Sequence, residues 1–299
     1  MYDVVIAGAG PAGLSAALVL GRCRRSVLVC DNGHPRNGAS QAIHGYLTRD
    51  GIAPDDFLRI AREQMGQYET VEFRDVTIVS AECAATGRFV STLDTGEIVE
   101  SRKLLIATGV RDKLPAVDGL RELYGRSVFH CPYCDGWEVR DRPLAVYGRG
   151  DRGYGLSLEL TAWSRDILLC TDGPHEIDDD KLQRLARNGI AVREERVVRL
   201  EGADGILQRI VFESGQSAER RALFFTTGQY QHSPLAIQLG CEFNDKGTVR
   251  TGKYESTHLH GLYVCGDASR AVQWVVVAAS EGAEAAFAIN TDLIKEDLL

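Results

Sequence analysis

The residues best suited to chemistry in this 299-residue chain are Cys131-Pro132-Tyr133-Cys134-Asp135-Gly136. Two sulfurs separated by two residues can close a small, reducible disulfide. Exchange at such a pair runs through a thiolate, which a neighbouring helix N-terminus favours. Asp135, next in sequence, is placed to give or take the proton that exchange moves. Structural zinc and a purely structural disulfide are the competing readings. Zinc of that kind takes four nitrogen or sulfur ligands, whereas here a single pair stands beside His130 with no second cysteine pair. Disulfides are uncommon in reducing compartments. The other cysteines, at 23, 30, 83, 170, 241 and 265, are scattered, most of them in apolar runs where a free thiol behaves as a small hydrophobe.

The cysteine pair lies between two Gly-rich turns, and each turn sits in a strand–turn–helix–strand context. Residues 3–31 read as a βαβ unit: strand Val4-Val5-Ile6-Ala7, turn Gly8-Ala9-Gly10-Pro11-Ala12-Gly13, a helix from Leu14 to Gly21, and strand Val27-Leu28-Val29-Cys30 ending at Asp31. Glycines there permit a tight turn and close approach to a pyrophosphate, the helix N-terminus faces that anion, and the acid holds a ribose hydroxyl. The loops that follow, at 32–38 and 44–51, make His44 and Arg49 candidates for cofactor or substrate contact, with ordinary solvated loop positions as the alternative.

Further on, 55–67 reads as a helix and Val71 to Val79 as a strand. Phe89 to Leu93 forms a hairpin with Ile98-Val99-Glu100 across Thr95-Gly96, and Lys103 to Ile106 is a buried strand ending at Ala107-Thr108-Gly109. The second fingerprint repeats the first: strand Leu144 to Tyr147, turn Gly148-Arg149-Gly150-Asp151-Arg152-Gly153, helix Leu156 to Trp163, strand Ile167 to Cys170. Ala222 to Thr227-Gly228 then echoes Ala107-Thr108-Gly109. Near the end, Leu262 to Cys265 is a strand closing at Gly266-Asp267, and Val272 to Asn290 is a long Ala-rich helix. A carboxylate at a strand end beside a helix N-terminus can order a cofactor's polyol and a ring carbonyl. The expected fold is therefore α/β, with two Rossmann-like dinucleotide-binding domains, the second inserted into the first. The bounds are 1–113 with 235–299, and 114–234.

Composition narrows the partners. At 44% hydrophobic and 25% charged the chain reads as an ordinary globular protein. A formal charge of −8 without Lys/Arg clusters argues against nucleic acid or an anionic membrane as partner. The first residues enter a strand directly, with no charged leader and no stretch long enough to span a bilayer, so a cytoplasmic, reducing location is expected.

Taken together, the two fingerprints, Ala107-Thr108-Gly109, the cysteine motif, Thr227-Gly228, and Gly266-Asp267-Ala268 followed by Gln273 resemble the low-molecular-weight thioredoxin reductase family over essentially the whole chain. The resemblance implies an FAD domain built from the two chain ends and a middle domain that carries the cysteines and binds NADPH. It also implies a homodimer and a domain rotation that shows the cysteine pair alternately to flavin and to a thioredoxin-like protein or small disulfide. Carried over residue by residue, Gly8, Gly10, Pro11, Ala12, Gly13 and Asp31 hold the FAD pyrophosphate and ribose. Val76, Thr108, Gly109, Gly266 and Trp274 line the cofactor, Asp267 binds its ribityl chain, and Gln273 approaches the ring. Cys134 is the sulfur next to flavin, Cys131 attacks the substrate disulfide, and Asp135 protonates the leaving thiolate.

One stretch departs from the family. Where an Arg or His cluster recognises the extra phosphate of NADPH, residues 170–180 carry no Arg or Lys and several acids. Like charge near that phosphate repels it by on the order of 1 kcal/mol per close pair in water. Asp172 is then a candidate for the ribose diol of NADH, with a solvated loop residue as the equal alternative. That departure, with Cys131-Pro132-Tyr133-Cys134, the Trp137-Glu138-Val139-Arg140-Asp141 run and a shortened loop at His44, resembles the branch that also contains dithiol oxidases, which pass electrons from a dithiol to oxygen. Ferredoxin-dependent relatives without nucleotide recognition are another precedent. A flavoprotein redox sensor is the reading from another class.

Overall fold

The structure is a computed structural model describing residues 1–299. In chain order the first part holds β1 (Tyr2–Ala7), α1 (Pro11–Arg22), β2 (Val27–Cys30), α2 (Pro54–Met65), β3 (Val71–Arg74), β4 (Ile78–Cys83), β5 (Phe89–Leu93) and β6 (Ile98–Ile106). After β7 (Val110–Asp112) come α3 (Leu120–Leu123), β8 (Val128–Phe129), α4 (Pro132–Asp135), β9 (Leu144–Tyr147), α5 (Gly150–Glu159), β10 (Ile167–Cys170), α6 (Asp179–Arg187) and β11 (Ala191–Arg193). Strands β12 (Val197–Ala203), β13 (Ile206–Phe212), β14 (Ser217–Glu219) and β15 (Ala222–Phe225) follow. The chain ends with β16 (Gln229–Gln231), α7 (Leu235–Gln238), β17 (Leu262–Val264) and α8 (Val275–Asp297).

Two compact units result. The first comprises Met1–Gly38, Gly45–Arg111 and Gln229–Leu299; the second, Ala39–His44 and Asp112–Gly228. Their division falls at 111/112 and 228/229, against expected bounds of 113/114 and 234/235, and residues 39–44 go with the second unit.

Each unit is built on parallel strands, of which the central ones are apolar on both faces, as strands covered on both sides must be. In the first, the sheet order is β3-β2-β1-β6-β5-β4, with β17 also pairing with β6. The nine-residue β6 holds antiparallel β5 along Ile98–Ser101 and parallel β17 along Leu104–Ile106. The hairpin arm and the core strand, expected as two strands either side of Ser101, are one: the arm runs straight into the core strand, burying Ser101 and Lys103. Conversely, the single strand expected over 71–79 is two. The chain breaks at 75–77, where Thr77 and Asp94 exchange hydrogen bonds, and β4 moves to the far edge. Helix α1 starts at Pro11, three residues earlier than read, because proline's fixed φ suits the first helical position. Helices α1 and α8 pack together through Ala16, Ala17, Ala285, Ala286 and Ile289, all fully buried.

The second unit repeats the parallel part as β11-β10-β9-β15-β8 and adds an antiparallel sheet, β12-β13-β14. The registers of the two halves coincide. Ala7 pairs with Cys30 in β1/β2, and Tyr147 with Cys170 in β9/β10. Gly8–Gly13 therefore matches Gly148–Gly153, and Asp31 matches Thr171.

Candidate active site

In the first unit the turn after β1 is closed by contacts only glycine allows. Gly8 has φ +103, and a Cβ on Gly13 would lie 1.9 Å from the Gly8 carbonyl oxygen. The open side of the turn is at Gly10, where an added Cβ meets nothing within 4 Å. Asp31, at the end of β2, accepts from the Ala9 N–H at 2.9 Å and from Gly33 N–H at 3.2 Å, and Arg62 donates to it at 3.1 Å. Its carboxylate is thus fixed beside the turn, with a cation partly offsetting its charge.

Two further segments converge here. A Cβ on Gly8 would lie 3.2 Å from the Thr108 Cα, and one on Gly109 3.9 Å from the Asp267 Cβ. A Cβ on Gly266 would meet that of Ala12 at 3.0 Å. Asp267 accepts from Arg36 at 2.9 Å, and Arg36 also donates to the Gln273 side chain at 2.6 Å. Gln273 returns a bond from Nε2 to the Asp267 carbonyl at 3.2 Å. The structure therefore brings Gly8, Ala12, Gly13, Asp31, Thr108, Gly109, Gly266, Asp267 and Gln273 into one chain of contacts, with Gly10 and Pro11 at the start of α1. Val76, by contrast, packs on the core cluster of Leu28 and Cys30, not the one α1 enters. Trp274 stands at the N-cap position of α8 and is 39% exposed.

One buried atom points to a ligand. Thr108 Oγ1 is buried with no hydrogen-bond partner, a state that costs about 1–3 kcal/mol unless a group arrives to satisfy it. An oxygen-rich dinucleotide along this cradle supplies such a group, so these residues fit FAD.

Arg36 was not singled out from sequence; a basic residue in a polar loop gives no sign that its target is Asp267. Nor was the cluster below that turn. Glu281 of α8 accepts from the Gly266 N–H at 2.8 Å, and Arg270 bonds both Glu281 and Glu255. Glu255 is fully buried and Glu281 nearly so. Burial, then the neighbouring Glu255 carboxylate, push Glu281 up to about 7, against the downward pull of Gly266 and Arg270. Burial also raises Glu255.

In the second unit, Cys131 and Cys134 form a disulfide with their Cα atoms 5.3 Å apart. Cys131 is the extended N-cap of the single-turn α4, with Pro132 at its first position, and its Sγ accepts from the Cys134 N–H at 3.2 Å. A Cβ on Gly136 would fall 2.5 Å from the Pro132 oxygen and 2.8 Å from the Trp163 ring, which keeps the motif's last position small. Tyr133 packs edge-on to Trp163 at 5.4 Å and is 58% exposed, and Trp137 is 64% exposed beneath Arg140. Asp135, partly buried, is pushed up to about 7, chiefly by burial and then by Glu138. A carboxyl group near neutrality can move protons in either direction.

His44 and Arg49 fall in different units. His44 faces Glu138 at 3.5 Å, whereas Arg49 bonds its neighbour's carbonyl at the surface. Of the remaining cysteines, 30, 170, 241 and 265 are buried, and 23 and 83 are exposed. Burial holds Cys30 and Cys170 up at about 12, too high for thiolate chemistry.

The chain is similar over nearly its whole length to known proteins. A thioredoxin reductase of Claviceps purpurea, tcpT, is 30% identical, with 99% of this chain and 95% of that protein covered. The crystal structure of HlmI superposes with a TM-score of 0.95 at 36% identity, covering 99% of this chain and 94% of that one. The thioredoxin reductase of Streptococcus pyogenes, at 22% identity, shares the fold with a TM-score of 0.91 over 99% of both chains. The family described as pyridine nucleotide-disulphide oxidoreductase matches residues 2–282. With its two Rossmann-like units and thioredoxin-reductase-like build, the chain belongs to the pyridine nucleotide-disulphide oxidoreductase family of enzymes.

Proposed function

We propose that this enzyme is an FAD-dependent thiol–disulfide oxidoreductase that links flavin to the Cys131/Cys134 couple and, through it, to an external dithiol or disulfide. The observation that carries the reading is the Cys131–Cys134 disulfide with Asp135 on the same turn, in a chain whose other unit fixes Asp31 beside the Gly8–Gly13 turn. FAD supplies a ring that takes up or releases two electrons. Gly8, Gly10, Gly13 and Asp31 hold its pyrophosphate and ribose end, and Thr108, Gly109, Asp267 and Gln273 its polyol and ring end.

The residues of the chain do the exchange. In the oxidising direction a substrate thiolate attacks Cys131 Sγ, the S–S bond breaks, and Cys134 leaves as thiolate. The second substrate thiol then attacks its own bound sulfur, releasing Cys131 and a substrate disulfide. Asp135 accepts a proton in this direction and donates one to the leaving thiolate in the reverse. Exposed Tyr133 and Trp137 suit an apolar or peptide-like partner beside the sulfurs.

The partner in this reading is a thioredoxin-like protein or a small dithiol or disulfide. Exposed Val276, Phe287 and Ile294 on α8 support a homodimer, and the six remaining thiols support a reducing, cytoplasmic setting. No helix is long and apolar enough to cross a membrane. A dithiol oxidase with oxygen as acceptor is the second reading, favoured by the acidic, Arg- and Lys-free run at 170–180. The test of the shared reading is stoichiometry. Anaerobic titration with dithiothreitol should consume about two equivalents per chain, one for the disulfide and one for the flavin. A Cys131→Ser, Cys134→Ser double variant that consumes the same amount would overturn it.

A further inference from the structure

The matching registers of the two units put their residues in one-to-one correspondence along the turn and the next strand. Where the first unit has the small Ala9, the second has Arg149. Where the first has the Asp31 carboxylate, the second has Thr171, 1% exposed, whose hydroxyl donates to the Gly173 carbonyl at 2.6 Å. Asp172, the candidate for a ribose diol, is spent elsewhere. Its two oxygens accept from the Tyr147 hydroxyl and from the Val197 N–H, both at 2.8 Å.

Across the end of β10, where a dinucleotide's adenosine ribose crosses such a sheet, the Arg149 guanidinium lies instead. Its Nε donates to the Thr171 carbonyl at 2.6 Å, and its Nη2 donates to the Asp172 carbonyl. It sits so tightly over Gly173 that a Cβ there would approach Nη2 to 2.6 Å. The pyrophosphate side is covered as well. Gly150 N–H, the counterpart of the open Gly10, donates to the His175 carbonyl at 2.9 Å, and a Cβ on Gly150 would meet the Glu176 oxygen at 3.6 Å. The covering segment is fastened from behind, with Gly173 N–H donating to the Glu194 carbonyl at 2.6 Å and His175 N–H to the Glu194 side chain at 2.9 Å.

We propose that the second unit's nucleotide site is closed by its own chain, with Arg149 on the ribose place and residues 173–176 over the turn, so that neither NADPH nor NADH feeds this enzyme. A nucleotide entering there must break both Arg149 bonds and lift the His175 carbonyl from Gly150, each worth on the order of tenfold in affinity. The closure deepens the proposed dithiol chemistry and rests on it only for what replaces the nucleotide.

The test is calorimetric binding of NADPH and of NADH to the FAD-loaded protein, with the flavin band followed anaerobically in parallel. The wild type should bind neither saturably at submillimolar concentration, and neither should bleach the flavin. Arg149→Gly should gain at least about tenfold in NADH affinity, while Arg149→Lys, which keeps the charge but cannot fork to two carbonyls, should gain less. Flavin content and bleaching by dithiothreitol should be unchanged in both, which reports folding. Saturable micromolar binding by the wild type, or no gain in Arg149→Gly with flavin intact, would overturn the closure. Loss of dithiothreitol bleaching in the wild type would instead overturn the dithiol reading and leave the closure standing.

Discussion

Arg36 and Asp267 stand 231 positions apart in the chain, yet the guanidinium donates to the carboxylate at 2.9 Å and to Gln273, six residues further on, at 2.6 Å. The pair ties the loop after β2 to the turn after β17, the two strand ends that bound the proposed cofactor cradle. Removing one partner of a charge-assisted bond costs about 1.5–3 kcal/mol, which is about 10- to 150-fold in affinity. Arg36→Gln and Asp267→Ala should therefore both be purified with less flavin, and refilling apoprotein while following flavin fluorescence should show weakening of that order.

As the proposed proton carrier, Asp135, held up at about 7, should give the two directions of exchange opposite pH profiles. Disulfide reduction uses its protonated form and should slow as pH rises through about 7; dithiol oxidation uses the carboxylate and should quicken over the same range. Asp135→Asn should remove that limb from single-turnover rates in either direction and lower the rate about 100-fold. A limb that survives in the variant belongs to another group.

Glu281, raised to about 7, binds a proton in the folded state more tightly than the usual carboxylate does. Its contribution is thus full below about pH 4.5 and lost as pH rises through about 7. Urea unfolding at pH 5 and pH 8 should show stability falling across this interval, with Glu281→Gln reducing the fall. Arg270→Met leaves Glu255 and Glu281 buried without their cation. The loss should be about 2 kcal/mol, below the 3–5 kcal/mol of a fully buried pair because Arg270 is half exposed.

Thiol counting separates the redox pair from the bystanders. With Cys23 and Cys83 exposed and the other four free thiols buried, the native oxidised protein should react rapidly at about two sites with a thiol reagent, and at about four once Cys131–Cys134 is reduced.

The local chemistry was legible where it is encoded within a few residues: the turn from Gly8 to Gly13 entering a helix, Asp31 at the next strand end, and two cysteines on one turn. Two Rossmann-like units followed from the repeat of that pattern. What sequence did not disclose depends on partners distant in the chain. Arg36 reads as a loop cation until Asp267 arrives opposite it. Glu281 reads as one acid in an Ala-rich helix until Gly266 N–H lands on it. Asp172 reads equally as a ribose ligand or a solvated loop acid until β12 brings Val197 N–H to its carboxylate. The strand break at 75–77 was hidden because Asp94, which fixes it, lies across the hairpin.

The central claim is that the flavin exchanges electrons with the external thiol through Cys131 and Cys134. Anaerobic stopped-flow mixing of the FAD-loaded protein with excess dithiothreitol tests it most directly. The flavin band should bleach rapidly in the wild type, and that fast phase should be lost in Cys134→Ser with flavin content unchanged. A fast phase of undiminished rate and amplitude in Cys134→Ser would contradict it.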